Sequence, residues 1–184
     1  MSDIVAVFSS PRQNGNSCTL GKAVINGTMG LSTNTIHIHR LNSKLSVHGC
    51  QNCAKCEDTP KCYIEDDLSQ VLDDIEKCDS LIIALPIFFN GPCAQFKMLL
   101  DRLYSHMGEG LKPRFPGKKL VMIITHDGPD DMAKMVENQL RDVFTNNLGY
   151  EVVGIINYRC DRDMKKASKD LEILDFARSL GKKL

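Results

Sequence analysis

Four cysteines fall within thirteen residues, as Cys50-x2-Cys53-x2-Cys56-x5-Cys62. The first three share one tight turn, and the excursion from Glu57 to Lys61 returns a fourth, so a single loop can offer four thiolates to one small metal centre. Iron-sulfur clusters are commonly ligated in this way. Zinc also accepts four thiolates, although its structural sites usually pair two separated Cys-x2-Cys knuckles. A disulfide or a set of redox-active thiols is the third chemistry open to this spacing, because oxidation leaves the same side chains without a metal.

A second group of residues suits an anion. Ser9-Ser10-Pro11-Arg12-Gln13-Asn14-Gly15-Asn16-Ser17 supplies hydroxyls, a cation and flexible backbone, and then opens a helix whose unpaired amides and dipole favour negative charge. Ser10, Arg12, Asn16, Ser17 and Cys18 are its candidate contacts. The pattern is neither the G-x-G-x-x-G of dinucleotide folds nor the G-x-x-x-x-G-K-[ST] of nucleoside triphosphatases, which argues for a monophosphate such as that of FMN. The plainer alternative is a polar turn with Ser17 as an ordinary helix cap.

Two further loops could wall the same site. In Pro86-Ile87-Phe88-Phe89-Asn90-Gly91-Pro92, an aromatic pair sits where a strand leaves its sheet; Phe88 or Phe89 could lie against a flat ring while Asn90 reaches its polar edge. Pro92 suits the first position of a following helix. Thr125-His126-Asp127-Gly128 makes a third wall, with His126 as a contact or simply a surface histidine. Cys18, Cys78, Cys93 and Cys160 have no partner spacing and read as small, mostly buried residues.

The elements that must hold these loops are legible as periodicity. Ile4–Phe8, Leu81–Leu85, Leu120–Ile124 and Val152–Ile156 are continuously apolar, as in strands buried on both faces. Thr35–His39 alternates, which suits a sheet edge and leaves His37 and His39 solvated. Leu68, Val71, Leu72 and Ile75 form a helical stripe; Phe96, Leu99, Leu100 and Leu103 form another, and Val136, Leu140, Val143 and Phe144 a third. Ala167, Leu171 and Leu174 make a weaker fourth, and a first helix is expected over about residues 17–29. Strand and helix alternate five times, which predicts an α/β three-layer sandwich whose five-stranded parallel sheet has the flavodoxin-like order 2-1-3-4-5. The cysteines lie on the long connection at residues 42–65, between strand two and helix two, and loops of that length are usually functional.

At 184 residues the chain suits one domain, spanning residues 1–184. Lysine plus arginine and aspartate plus glutamate both total 23, so no net charge draws it to nucleic acid or an anionic membrane. The basic stretch Lys112–Lys119, broken by Pro113, Pro116 and Gly117, reads as a solvated loop. No signal peptide or membrane span is expected, which implies a soluble cytoplasmic protein whose eight cysteines stay reduced or bind metal.

In chain order, three motifs resemble the iron-sulfur flavoproteins of the wider NADPH-dependent FMN reductase group. They are Ser10–Ser17; the Cys50–Cys62 spacing running into Asp66-Asp67; and Pro86-Ile87-Phe88-Phe89 followed by Ala94-Gln95-Phe96-Lys97 and Asp101-Arg102. Ser9 stands where that group often has glycine, Ala84-Leu85 where Gly-Ser is usual, and Phe88 where tyrosine is frequent. The resemblance implies FMN with its phosphate on the Ser10–Ser17 loop and its isoalloxazine ring near Pro86–Asn90 and Thr125–Gly128. It implies a 4Fe-4S cluster on Cys50, Cys53, Cys56 and Cys62, and a homodimer or homotetramer. The expected function is a redox enzyme that carries electrons from NAD(P)H or a reduced carrier through FMN and the cluster to a small acceptor or a protein such as ferredoxin. No side chain need act as acid or base. The alternatives are a cluster-free NAD(P)H-dependent FMN or quinone reductase and a flavodoxin-like electron carrier.

Overall fold

Runs of apolar residues with no polar alternation have to be covered on both faces, and they form the central strands of a computed structural model that describes residues 2–29, 34–43 and 46–184. The strands are β1 (Asp3–Phe8), β2 (Thr35–Arg40), β3 (Ser80–Phe88), a two-residue β4 (Gly91–Pro92), β5 (Lys119–His126) and β6 (Glu151–Arg159). The parallel sheet runs β2-β1-β3-β5-β6, while β4 only pairs back on β3. With β4 set aside, this is the expected order 2-1-3-4-5.

Helices cover both faces. They are α1 (Asn16–Thr28), α2 (Asp67–Lys77), α3 (Ala94–Arg102), α4 (Asp130–Asp142), a single turn α5 (Lys166–Lys169) and α6 (Leu171–Gly181). One core joins Val5, Val7, Ile83 and Met122 of the sheet to Leu68, Phe96 and Leu140 of α2, α3 and α4. The other joins Ile4, Ala6, Ile82 and Ile123 to Leu20 and Val24 of α1 and Ala177 and Leu180 of α6. No helix among the described residues is long and apolar enough to cross a membrane.

Local chemistry changes several expected details. Pro92 pairs with Ile87 across a hairpin, so α3 starts only at Ala94, after Cys93. The fourth stripe is broken at Asp170, whose carboxylate accepts the Ile173 amide at 3.1 Å and starts a new helix, leaving Leu171 in solvent. His37 is exposed at the sheet edge as expected, but His39 is not simply solvated, because its Nε2 lies 2.8 Å from the Asp74 carboxylate of α2. In the basic stretch, Lys118 is buried and its ammonium donates to the carbonyls of Glu76 and Cys78 at 2.8 and 2.6 Å.

At α1 and α6 the approach is closer than side chains allow. A Cβ on Gly27 would stand 2.0 Å from the Arg178 carbonyl oxygen, and one on Gly181 would stand 2.1 Å from that of Val24. Glycine at both positions is what lets the two backbones touch.

Candidate functional site

Because every long strand is parallel, their carboxyl ends share one end of the sheet, and the loops leaving them form a crevice of about 330 Å³. That volume falls in the range of small-molecule sites, roughly 300–1,000 Å³. Ser10, Arg12, Asn16 and Ser17 line it from the β1–α1 loop, with Gly15 between them. Pro86, Ile87 and Phe88 enter from β3, and Thr125, His126 and Asp127 from the end of β5.

The β1–α1 loop is closed tightly. The Gly15 amide donates to the Arg12 carbonyl at 3.1 Å, and a Cβ on Gly15 would meet Arg12 Cβ at 3.2 Å. Gly15, not Ser17, is the N-cap of α1, and no side chain caps that helix. By contrast, the Asp66 carboxylate caps α2 and Asp170 caps α6. The first-turn amides of α1 therefore face the crevice without a carboxylate or hydroxyl acceptor of their own, which suits a phosphate oxygen.

Four expected contacts lie outside the crevice. Cys18 turns into the core beneath α1, wholly buried, because it sits on the helix face that packs on the sheet. Phe89 and Asn90 form the two-residue turn between β3 and β4, with φ of 47° and 65°, and this turn throws the Phe89 ring fully into solvent. Gly128 lies past the wall and contributes only its carbonyl, which accepts from His126 Nδ1–H at 3.0 Å. That bond makes Nδ1 the donor and leaves Nε2 facing the Asp130 carboxylate at 4.0 Å, and the residue is only 5% exposed, so it is not a surface histidine.

Sequence reasoning missed a fourth wall. Cys160, Arg162, Asp163 and Met164, in the loop after β6, complete the crevice. Asn16 bolts this loop to α1: its amide nitrogen donates to the Asp163 carbonyl at 2.8 Å, and its side-chain oxygen accepts the Ala167 amide at 3.0 Å. The loop carries no motif; the signal was topological, since strand order 2-1-3-4-5 puts the exit of the last strand at the same end as the others. All four cysteines outside the 50–62 motif are buried, and burial pushes the Cys78 thiol up to about 11.

The cysteine loop is held from both sides. Arg102 of α3 donates through Nη1 to Asp66 at 2.5 Å and through Nη2 to the Ile64 carbonyl at 2.7 Å, and it reaches the His48 carbonyl at 3.5 Å. Asp66 accepts the amides of His48 and Leu68 at 2.8 and 2.9 Å. Burial alone would raise the Asp66 carboxyl; the Arg102 and amide hydrogen bonds and the Arg102 charge outweigh it and hold the group below the usual carboxylate range. At the tip, Arg114 from the basic stretch donates to the carbonyls of Cys56 and Glu57 at 3.0 and 2.9 Å. The Lys55 ammonium sits 3.2 Å from the centroid of the Tyr63 ring.

Cys50, Cys53, Cys56 and Cys62 all line one small cavity beside Arg102. Asn52 and Ala54 take left-handed φ values of 51° and 57°, and the Asn52 amide donates to Cys50 Sγ at 3.4 Å. Burial raises the Cys56 thiol, and the charges of Cys62, Cys53 and Cys50 raise it further. Four thiols lining one cavity form a donor set of the kind that soft metal centres take. The cavity itself holds about 30 Å³, room for about one water molecule, and among the described residues no three His, Cys, Asp or Glu side chains converge on a single ion. The donor chemistry suits a soft metal centre.

A doubly wound parallel sheet with helices on both faces and its crevice at the strands' carboxyl ends defines a flavodoxin-like fold. The chain belongs to the NADPH-dependent FMN reductase family, whose sequence profile matches residues 2–159. Iron-sulfur flavoproteins are similar to it, as the motifs led us to expect. One from Archaeoglobus fulgidus is 27% identical over 90% of this chain and 75% of its own length, and one from Methanocaldococcus jannaschii is 27% identical over 73% and 69%. An NAD(P)H:quinone oxidoreductase from Methanothermobacter marburgensis has the same fold, with a TM-score of 0.73 at 15% identity over 98% of this chain and 96% of that one. The chain is thus an NAD(P)H-dependent FMN oxidoreductase.

Proposed function

We propose that the chain passes electrons from NAD(P)H, or from a reduced carrier, through FMN and a 4Fe-4S cluster to a small molecule or to a protein such as ferredoxin. The observation that carries the cluster is that four thiols share one cavity on a loop whose two flanks are fixed to a single buried ion pair. In this reading Cys50, Cys53, Cys56 and Cys62 hold the cluster. The FMN phosphate lies against Ser10, Arg12, Asn16 and Ser17, and the flavin ring lies between Pro86–Phe88 and Thr125–Asp127.

FMN, when bound, accepts two electrons as a hydride and releases them singly, which is what joins a nicotinamide to a one-electron cluster. The protein's own part is to bind and orient. The amides of the α1 first turn and Arg12 hold an anion, Phe88 and Pro86 cover an apolar face, and His126 Nε2 offers a polar atom within the wall. Phe88, Phe89 and Met164 leave an apolar rim in solvent, which supports assembly as a homodimer or homotetramer.

Anaerobic purification followed by iron, sulfide and flavin analysis tests the reading. The expected result is about four iron and four sulfide per FMN, with FMN retained when all four cysteines are changed to serine. Full flavin with no iron or sulfide after attempted reconstitution would reduce the function to that of a cluster-free FMN or quinone reductase.

A further inference from the structure

We propose that Arg162 is the second jaw of a phosphate clamp: opposite Arg12, it grips the 5′-phosphate of FMN and so makes the chain select FMN over the unphosphorylated flavin. The inference rests on the reading that FMN occupies the crevice, and it concerns a residue beyond the segment that the family profile matches, 2–159.

Charge pairing singles Arg162 out. The loop after β6 is dense in ions, and three of its cations are engaged within the loop. Arg159 pairs with Asp161 at 3.1 Å, Lys166 pairs with Asp161 at 2.7 Å, and Lys169 pairs with Asp163 at 2.9 Å. Arg162 lines the crevice and is exposed, and among the described residues its guanidinium has neither an ion pair nor a hydrogen bond. The Asp127 carboxylate is turned to the Arg162 backbone, accepting its amide at 2.7 Å. Arg12, on the β1–α1 loop that lines the same crevice, is likewise exposed, and among the described residues its guanidinium has neither an ion pair nor a hydrogen bond.

Hydrogen bonds tie together the two crevice loops that carry Arg12 and Arg162. Asn16, in the first turn of α1, is hydrogen-bonded to Asp163 and to Ala167, so the loop that carries Arg162 stands against the uncapped helix end. Asp161 and Arg162 adopt left-handed φ values of 50° and 61°, which non-glycine residues rarely adopt twice in succession. Strain kept at a crevice wall is consistent with a side chain held in place for use.

The ligand chemistry follows from the charge. A phosphate monoester carries about −1.5 to −2 near neutral pH, which two guanidinium groups match, and each planar fork can donate twice to it. Riboflavin lacks that group and gains nothing from the clamp. The 2′-phosphate of NADPH is the other source of a monoester, so the test has to separate the two.

The full-length chain, freed of flavin, is titrated with FMN and with riboflavin by fluorescence quenching, for the wild type, Arg162→Gln, Arg162→Lys and Arg12→Gln. NADPH and NADH turnover is measured alongside, with a thermal melt to confirm folding. Arg162→Gln should weaken FMN by roughly 10–100-fold, the range of a lost charge-assisted contact, and leave riboflavin within about 2-fold. Arg162→Lys should recover part of the loss, since it restores the charge without the fork. The salt dependence of FMN binding should flatten in the glutamine variant. Equal losses for FMN and riboflavin would make Arg162 a scaffold residue, and an unchanged FMN affinity would remove it from the site; either overturns the proposal. So does a fall in kcat/KM for NADPH alone, which would assign Arg162 to the nicotinamide nucleotide. A wild type that binds FMN no better than riboflavin would instead sink the placement of FMN in the crevice, and the clamp with it.

Discussion

The Arg102 guanidinium and the Asp66 carboxylate meet at 2.5 Å with both side chains fully buried, and between them they hold both flanks of the cysteine loop. Removing one member of such a pair strands the other charge, at a cost of roughly 3–5 kcal/mol. Arg102→Ala should lower the urea midpoint accordingly and speed the reaction of Cys50, Cys53, Cys56 and Cys62 with a thiol reagent. Arg102→Lys should recover little, because one ammonium cannot span Asp66, Ile64 and His48 together. A lysine variant as stable as the wild type, with thiols equally slow to react, would show that the fork does not fix the loop.

Acid should weaken the fold through two groups. Asp66 is ionised and paired in the native state with its carboxyl held low, so it adds stability above the unfolded-state pKa, and that stability is lost as pH falls through the lower native value. His106 acts in the same direction by another route. Burial first, then the charges of Lys118 and Arg114 against the opposing Asp73, push its imidazole down to about 4. From about pH 6.5 down to that value the unfolded chain takes a proton that the native chain refuses, which costs on the order of 3 kcal/mol in all.

His106→Phe isolates the second route. The imidazole stands edge-on to the Phe115 ring at 5.1 Å, and its buried Nδ1 has no hydrogen-bond partner, so a phenyl ring keeps the packing and removes an unsatisfied atom. Denaturant titrations at about pH 7.5 and 4.5 should show the variant losing roughly 2–3 kcal/mol less than the wild type over that interval. Equal losses would mean that His106 takes its proton in the native state.

How far these residues could be read from sequence depended on whether the signal was local. The buried strands were legible because Ile82, Val121 and their neighbours have no polar face to show, and topology then follows from alternation with helices. The anion loop was legible as Ser10 to Ser17, but its cap was not, since Gly15 succeeds by close approach and not by side chain. Arg162 was illegible because its importance lies in what it fails to pair with, and pairing is tertiary. The same holds for Asp66 and Arg102, two motif residues whose joint role as the loop's anchor appears only when α2 and α3 pack.

Phe89 presents a local conflict. It occupies the first position of a two-residue turn that needs positive φ, where glycine, asparagine or aspartate is favoured, and a left-handed L-residue costs roughly 1–2 kcal/mol. Its ring is fully exposed and repays none of this within the chain. Phe89→Asn should therefore stabilise the fold by about 1 kcal/mol, read as a higher denaturant midpoint. FMN affinity should stay within about 2-fold, because the ring lies outside the crevice. A variant less stable than the wild type would mean that a second copy of the chain covers the ring, which size measurement by light scattering at two protein concentrations would register as loss of oligomer.

Gly27→Ala sets propensity against packing. Alanine in a helix interior is favoured over glycine by about 1 kcal/mol, so on local grounds the change should stabilise α1. Its Cβ would lie 2.0, 2.8 and 2.9 Å from the carbonyl oxygen, carbonyl carbon and Cα of Arg178, all backbone atoms that no rotamer can withdraw. α6 would have to move, lifting Ala177 and Leu180 from the core they share with Val24. Overpacking of this kind costs about 1–3 kcal/mol even where side chains can adjust, and here they cannot, so the variant should be destabilised by roughly 2 kcal/mol or more. Gly49→Ala, where a Cβ meets nothing within 4 Å, is the matched control and should leave the melting temperature unchanged. Because Asn16 is tied to Asp163 and Ala167 at the far end of α1, the crevice should keep its FMN affinity while the melting temperature falls. Loss of both together would mean that the helix contact at Gly27 also sets the shape of the anion loop.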